Sequence, residues 1–151
     1  MSDEDDVYWS LDKLDKKKPA NLNAKTMDML HSAGWEVELT QSFSAHSVRS
    51  KDMFGFADII AFAGPDYPDE VVLVQACSSS SRTNRIRKIL NNATACKWVI
   101  SDKRLIWVVH WNKSIVNGVE QREWNCRIEF ITEQDFINFN RDGRLPRCPQ
   151  S

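Results

Sequence analysis

The chain has 151 residues, 42% of them hydrophobic and 27% charged, and a formal net charge of −1. That is enough chain for one domain with its own core. Its apolar runs are no longer than strands, which excludes a membrane-spanning helix, and the acidic start MSDEDDVYWS has no apolar signal core, so nothing there argues for secretion.

Residues 1–18 read as a charged N-terminal extension ending in the basic run before Pro19. A helix is expected from Asn21. Leu22, Thr26, Met29, Leu30 and Ala33 recur at helical spacing, and Gly34 stands where a left-handed cap belongs. WEVELTQSF alternates apolar and polar residues, as a strand with one wet face does. AHSVRSKDMFG reads as a basic loop.

FADIIAFA and VVLVQAC, separated by the turn GPDYPDE, are strands apolar enough to be covered on both faces. A helix is expected over 83–95, with Ile86, Ile89, Leu90 and Ala93 facing the core. RLIWVVHW and WNCRIEFI are two further strands, and Asn117-Gly118 between them signals a hairpin turn. A last helix starts at Thr132, with Asp135 placed for a weak capping box. The order helix, three strands, helix, two strands, helix predicts an α/β fold with a mixed central sheet flanked by helices, in one domain over 19–145 with a tail at 146–151.

Cys77, Cys96, Cys126 and Cys148 form no CxxC pair and are widely spaced. Reduced thiols in a cytoplasm are therefore expected, rather than a disulfide framework or a zinc site. The three histidines are dispersed, and no phosphate-cradling glycine loop is present.

Charge is unevenly distributed. Between Ser78 and Lys113 there are eight bases against one acid, a segment of +7 in a chain of −1. Such a local field suits a polyanion such as DNA, and it equally suits a solvated helix face. Ser78, Arg82, Asn84, Arg85 and Lys88 are the candidate phosphate contacts, and Trp111, beside His110 and Lys113, is the candidate for stacking on a base.

Two polar residues interrupt the apolar strands, Asp58 in the first and Gln75 in the second. A buried acid is costly unless it is hydrogen-bonded or beside a cation. If the strands pair, the two side chains meet near the end of the sheet and offer hard oxygen donors to magnesium or manganese, with Asp52 or Glu38 as a further carboxylate. The alternative is structural: Asp58 caps a loop amide and Gln75 satisfies backbone at a sheet edge.

KDMFGFADIIAF followed by VLVQACSSSSRTNRIRKI resembles the PD-(D/E)XK nuclease superfamily, and within it the small Holliday-junction-resolvase-like proteins of phages and bacteria. The likeness covers about residues 21–113. It implies a restriction-endonuclease-like sheet and a metal-dependent DNA endonuclease acting on branched or recombination DNA, in a host cytoplasm, as a homodimer or within a phage assembly. By position it makes Asp58 the motif aspartate, Gln75 the glutamate position and Cys77 the lysine position. Glutamine is neutral, and cysteine cannot replace an ammonium. Lys51, Arg82, Arg85 or Lys88 would then have to supply the cation. The alternative implied is a nuclease fold that has lost catalysis and serves as a nucleic-acid-binding or protein-interaction module.

Overall fold

A computed structural model of the chain describes residues 21–40, 42–44 and 49–148, with the side chains of 42–44 and 49–51 outside the description. The N-terminal extension expected over 1–18 therefore lies outside the described residues. Helix α1 (Leu22–Ser32) is followed by β1 (Glu36–Leu39), a small hairpin of β2 (Ser42–Ser44) and β3 (Arg49–Lys51), and then β4 (Ile59–Gly64) and β5 (Tyr67–Ser78). A single turn of tight helix at Ser79–Ser81 leads into α2 (Arg82–Leu90), α3 (Ala93–Ile100), β6 (Arg104–Val116), β7 (Val119–Ile131) and α4 (Glu133–Asp142).

The main sheet has five strands in the order β1-β4-β5-β6-β7. Only β5 and β6 run parallel; every other neighbour is antiparallel. The expected pairing of the two motif strands is present, with Ile59 opposite Val74 and Phe62 opposite Val71. The sheet is mixed and flanked by helices, as the element order implied.

Strand alternation sorts the core into two layers. Val72, Val74, Trp107 and Val109 pack with Leu30 and Trp35 on the α1 side. Leu73, Cys77, Ile106 and Val108 pack with Ile86, Ile89, Leu90 and Phe136 on the opposite side. Both faces of β4 and β5 are thus covered, which is why those strands are almost continuously apolar.

Three segments differ from the sequence expectation, each for a local reason. The strand expected to run from Trp35 to Phe43 stops at Leu39, and residues 42–44 instead pair with 49–51, inside the stretch that read as loop. The helix expected over 83–95 is two helices: Asn92 leaves helical geometry and its side chain accepts from the Ala95 amide, capping α3. Strand β5 starts at Tyr67, which leaves only a tight turn after Gly64. Gly64 is demanded by packing, since a Cβ there would fall 2.3 Å from the Trp35 ring.

The β6–β7 turn follows expectation. Asn117 (φ 52°) and Gly118 (φ 78°) are both left-handed, the requirement of a two-residue hairpin turn of this type. At the start of α4, Thr132 and Asp135 form a full reciprocal capping box. Among the described residues, no helix is long and apolar enough to cross a membrane.

Candidate functional site

Asp58 stands just before β4, at the end of the sheet where β5 continues towards the serine run. It is 4% exposed, and Gln75 is 1% exposed. Gln75 Nε2 donates to Asp58 Oδ2 and also to its neighbour's carbonyl, Ala76 O, at 3.3 Å. The Ala76 amide donates to the same Asp58 oxygen at 3.1 Å. The acid and the amide do sit side by side. Gln75 Oε1 is left buried with no hydrogen-bond partner.

A tight turn brings a second acid to the first. Met53 bridges to Ala57, and Phe54 (φ 56°) and Gly55 (φ 84°) make the reversal between them. Asp52, one residue before this bridge, is thereby held against Asp58, one residue after it. Burial pushes the Asp58 carboxyl up to about 7, and a hydrogen bond and charge repulsion from Asp52 add to the rise. The Ala76 amide and the Arg85 charge oppose it.

These groups line a cleft of about 480 Å³ together with Asn23, Ser78 and Trp124. Arg85 reaches it from the second turn of α2. Lys88 pairs with Asp52 at 3.4 Å, so the basic helix touches the acidic pair directly. Ser78 Oγ bonds Ser80 and Ser81 at 3.0 and 3.1 Å at the rim.

Cys77 lines the cleft and also packs into the apolar layer beneath α2. Burial pushes its thiol up to about 11, so it is a neutral group at ordinary pH. Lys51 belongs to β3, and its side chain lies outside the described residues.

Three sequence expectations need correction. Arg82 was a candidate phosphate contact, but both faces of its guanidinium fork are committed. Nε and Nη2 bind the two carboxylate oxygens of buried Glu129, and Nη2 also donates to Pro146 O at 2.9 Å. Trp111 was the candidate stacking platform; it is buried at 8% exposure, with its indole N–H on Thr26 Oγ1 at 2.9 Å. Asn84 is exposed and accepts from Arg87 at 3.2 Å, outside the cleft lining.

The aromatic residue that does line the cleft is Trp124, directly opposite Lys113 on the neighbouring strand. Lys25 and Lys113 each place an ammonium over its ring, 5.7 and 5.1 Å from the centroid. Its sequence context offered no hint, because the flanking lysine of α1 is 99 residues away.

The +7 segment is also less free in space than in sequence. Arg82, Lys88, Lys103 and Lys113 each pair with an acid from outside that segment. Arg85 and Arg87 have no ion-pair partner among the described residues, and they carry the remaining field of α2.

Two carboxylates, an amide oxygen without a partner and a nearby guanidinium converge on one open cleft. Such a donor set suits a hard divalent cation: the paired acids repel each other when both are ionised, and Gln75 Oε1 is an unspent oxygen ligand. Compared with protein-family models, with curated proteins and with solved structures, the chain matches none.

Proposed function

We propose that the cleft is the active site of a magnesium- or manganese-dependent phosphodiesterase of the PD-(D/E)XK type, acting on DNA in a cytoplasm. The observation that carries this reading is the pairing of Asp58 with Asp52 beside the unsatisfied Gln75 oxygen, with Arg85 and Lys88 at the same opening. The family resemblance is supported by the order of a helix, the antiparallel main-sheet strands β1, β4 and β5, with the acid just before β4 and the glutamine on β5, and then a basic helix.

Asp52, Asp58 and Gln75 Oε1 would hold the cation. A divalent ion at that point supplies an acidified water and neutralises charge on a phosphate. Arg85, across the cleft, binds a phosphate oxygen, and Lys88 takes over the cationic role that Cys77 cannot fill. Trp124, held between two lysines, gives a surface on which a base can stack.

A second reading has its own support. Asp58 Oδ2 already accepts from the Ala76 amide and from Gln75, so its burial has a structural explanation. On that reading the fold binds nucleic acid without cutting it. Purified protein incubated with branched, duplex and single-stranded DNA, with each metal, separates the two. Cleavage that disappears in Asp58→Asn supports the enzyme. Binding without cleavage, and without metal affinity that depends on Asp58, supports the binding module.

A further inference from the structure

On the other side of Arg82, away from the cleft just described, a second opening of about 560 Å³ is lined by Ser79, His110, Asn112, Arg127 and Cys148 among others. Two ligand-type side chains line it, His110 from β6 and Cys148 from the segment after α4, and a third, the buried Glu129 of β7, lies beside them. Their donor atoms all lie within 4.8 Å of one another.

His110 is 3% exposed, and its Nε2 lies 2.8 Å from Glu129 Oε2, a close buried contact between an imidazole nitrogen and a carboxylate oxygen. An imidazole nitrogen and a carboxylate oxygen that face each other this closely can both ligate one ion once the pair opens slightly around it.

The outward atoms of the same residues are already held. His110 Nδ1 lies 3.3 Å from Ser79 Oγ, a contact that the tautomer with Nε2 free to act as a ligand can make by donating to the hydroxyl. Glu129 Oε1 accepts from Arg82 Nη2 at 2.6 Å and Oε2 accepts from Arg82 Nε, so an ion on Oε2 would use that oxygen's remaining lone pair beside the guanidinium. Arg127 Nη1 stands 3.8 Å from Cys148 Sγ.

We infer that His110 Nε2, Glu129 Oε2 and Cys148 Sγ form a site for zinc or a similar borderline-soft divalent ion, with water from the open cleft as the fourth ligand. Nitrogen, carboxylate and thiolate together select such an ion over magnesium. Two anionic ligands balance the charge of the ion, and the thiol proton passes to solvent on binding.

The wide cysteine spacing hid the site: its ligands come from three distant stretches, and none carries a motif. Bound there, the ion ties the segment around Pro146 to the end of the sheet.

The test uses the full chain, stripped by a chelator and titrated with Zn²⁺ and, for spectroscopy, with Co²⁺. The expected result is one ion per chain, a thiolate-to-cobalt charge-transfer band, and zinc affinity at least about tenfold weaker in Cys148→Ser and in His110→Gln. Cys148 is half-buried and lies outside the sheet and helices, so its serine variant should keep the fold. Cys126→Ala, which alters another thiol of the same cleft, should keep the band. Asp58→Asn should leave zinc affinity unchanged, so a failure of the DNA cleft and a failure of this site are distinguishable. No zinc binding by the parent, or an undiminished band in Cys148→Ser, overturns the inference.

Discussion

At the residue scale, Asp58 sets the chemistry of the cleft. Its carboxyl is raised to about 7, so the fold favours its neutral form. The sign follows from linkage. Between the ordinary aspartate range and about 7, the folded chain holds more protons than the unfolded chain, so this contribution to stability is full at low pH and is lost as pH rises through 7. A divalent ion reverses the preference, because it needs the carboxylate. Magnesium affinity should therefore rise with pH up to about 7, by up to about tenfold per unit for one released proton, and flatten above it. Calorimetry in two buffers of different ionisation enthalpy would measure that proton; affinity independent of pH between 5 and 8 would contradict it. Without metal, Asp58→Asn should hold or slightly raise stability at neutral pH, since it keeps the size and fixes the neutral state; denaturant titration reads this directly.

Asp58 and Gln75 were legible in the sequence because each interrupts a run of apolar residues that had to be buried. Asp52 was legible only as a nearby acid, since its approach depends on the left-handed turn at Phe54 and Gly55. Trp124 and the fate of Trp111 were not legible. One strand alternates its residues between two covered faces, and which tryptophan reaches an opening depends on the register between β6 and β7.

At the scale of elements, α2 serves two clefts with different residues. Arg85 and Lys88 face the acidic pair, whereas Arg82 locks Glu129 on the other side. The variants should separate accordingly. Arg82→Ala leaves a buried carboxylate without its guanidinium and should cost about 3–5 kcal/mol in urea unfolding. The double variant Arg85→Ala, Lys88→Ala touches exposed or half-buried groups and should leave the unfolding midpoint nearly unchanged, while weakening DNA binding across sequences. Equal loss of stability in both would mean that the helix is structural throughout.

The periodicity of Ile86, Ile89 and Leu90 announced the core face of α2 correctly, because burial enforces it. The break at Asn91 and Asn92 went unannounced, because Asn92 is tolerated within a helix and becomes a cap only when its side chain turns to the Ala95 amide. Asn92→Ala should cost about 1 kcal/mol by removing that cap, measurable as a lower thermal midpoint.

At the scale of the molecule, the mixed sheet was readable from the order of elements, since strands apolar on both faces require helices on both sides. The distribution of charge was not readable in the same way. Four bases of the segment at 78–113 meet acids drawn from β3–β4, β5 and β7 surroundings, and only the fold brings those acids near. DNA binding should therefore depend on salt through few contacts, with a slope smaller than eight bases would give.

The account stands on the claim that the cleft at Asp58 holds a divalent ion and uses it on a phosphodiester. The direct measurement is cleavage of branched and linear DNA by the parent, Asp58→Asn and Asp52→Asn, with magnesium, with manganese and with chelator. The account predicts cutting only with metal, lost in Asp58→Asn and reduced in Asp52→Asn, while both variants still bind the DNA. Equal cutting by parent and Asp58→Asn, or no cutting under any of these conditions, contradicts it.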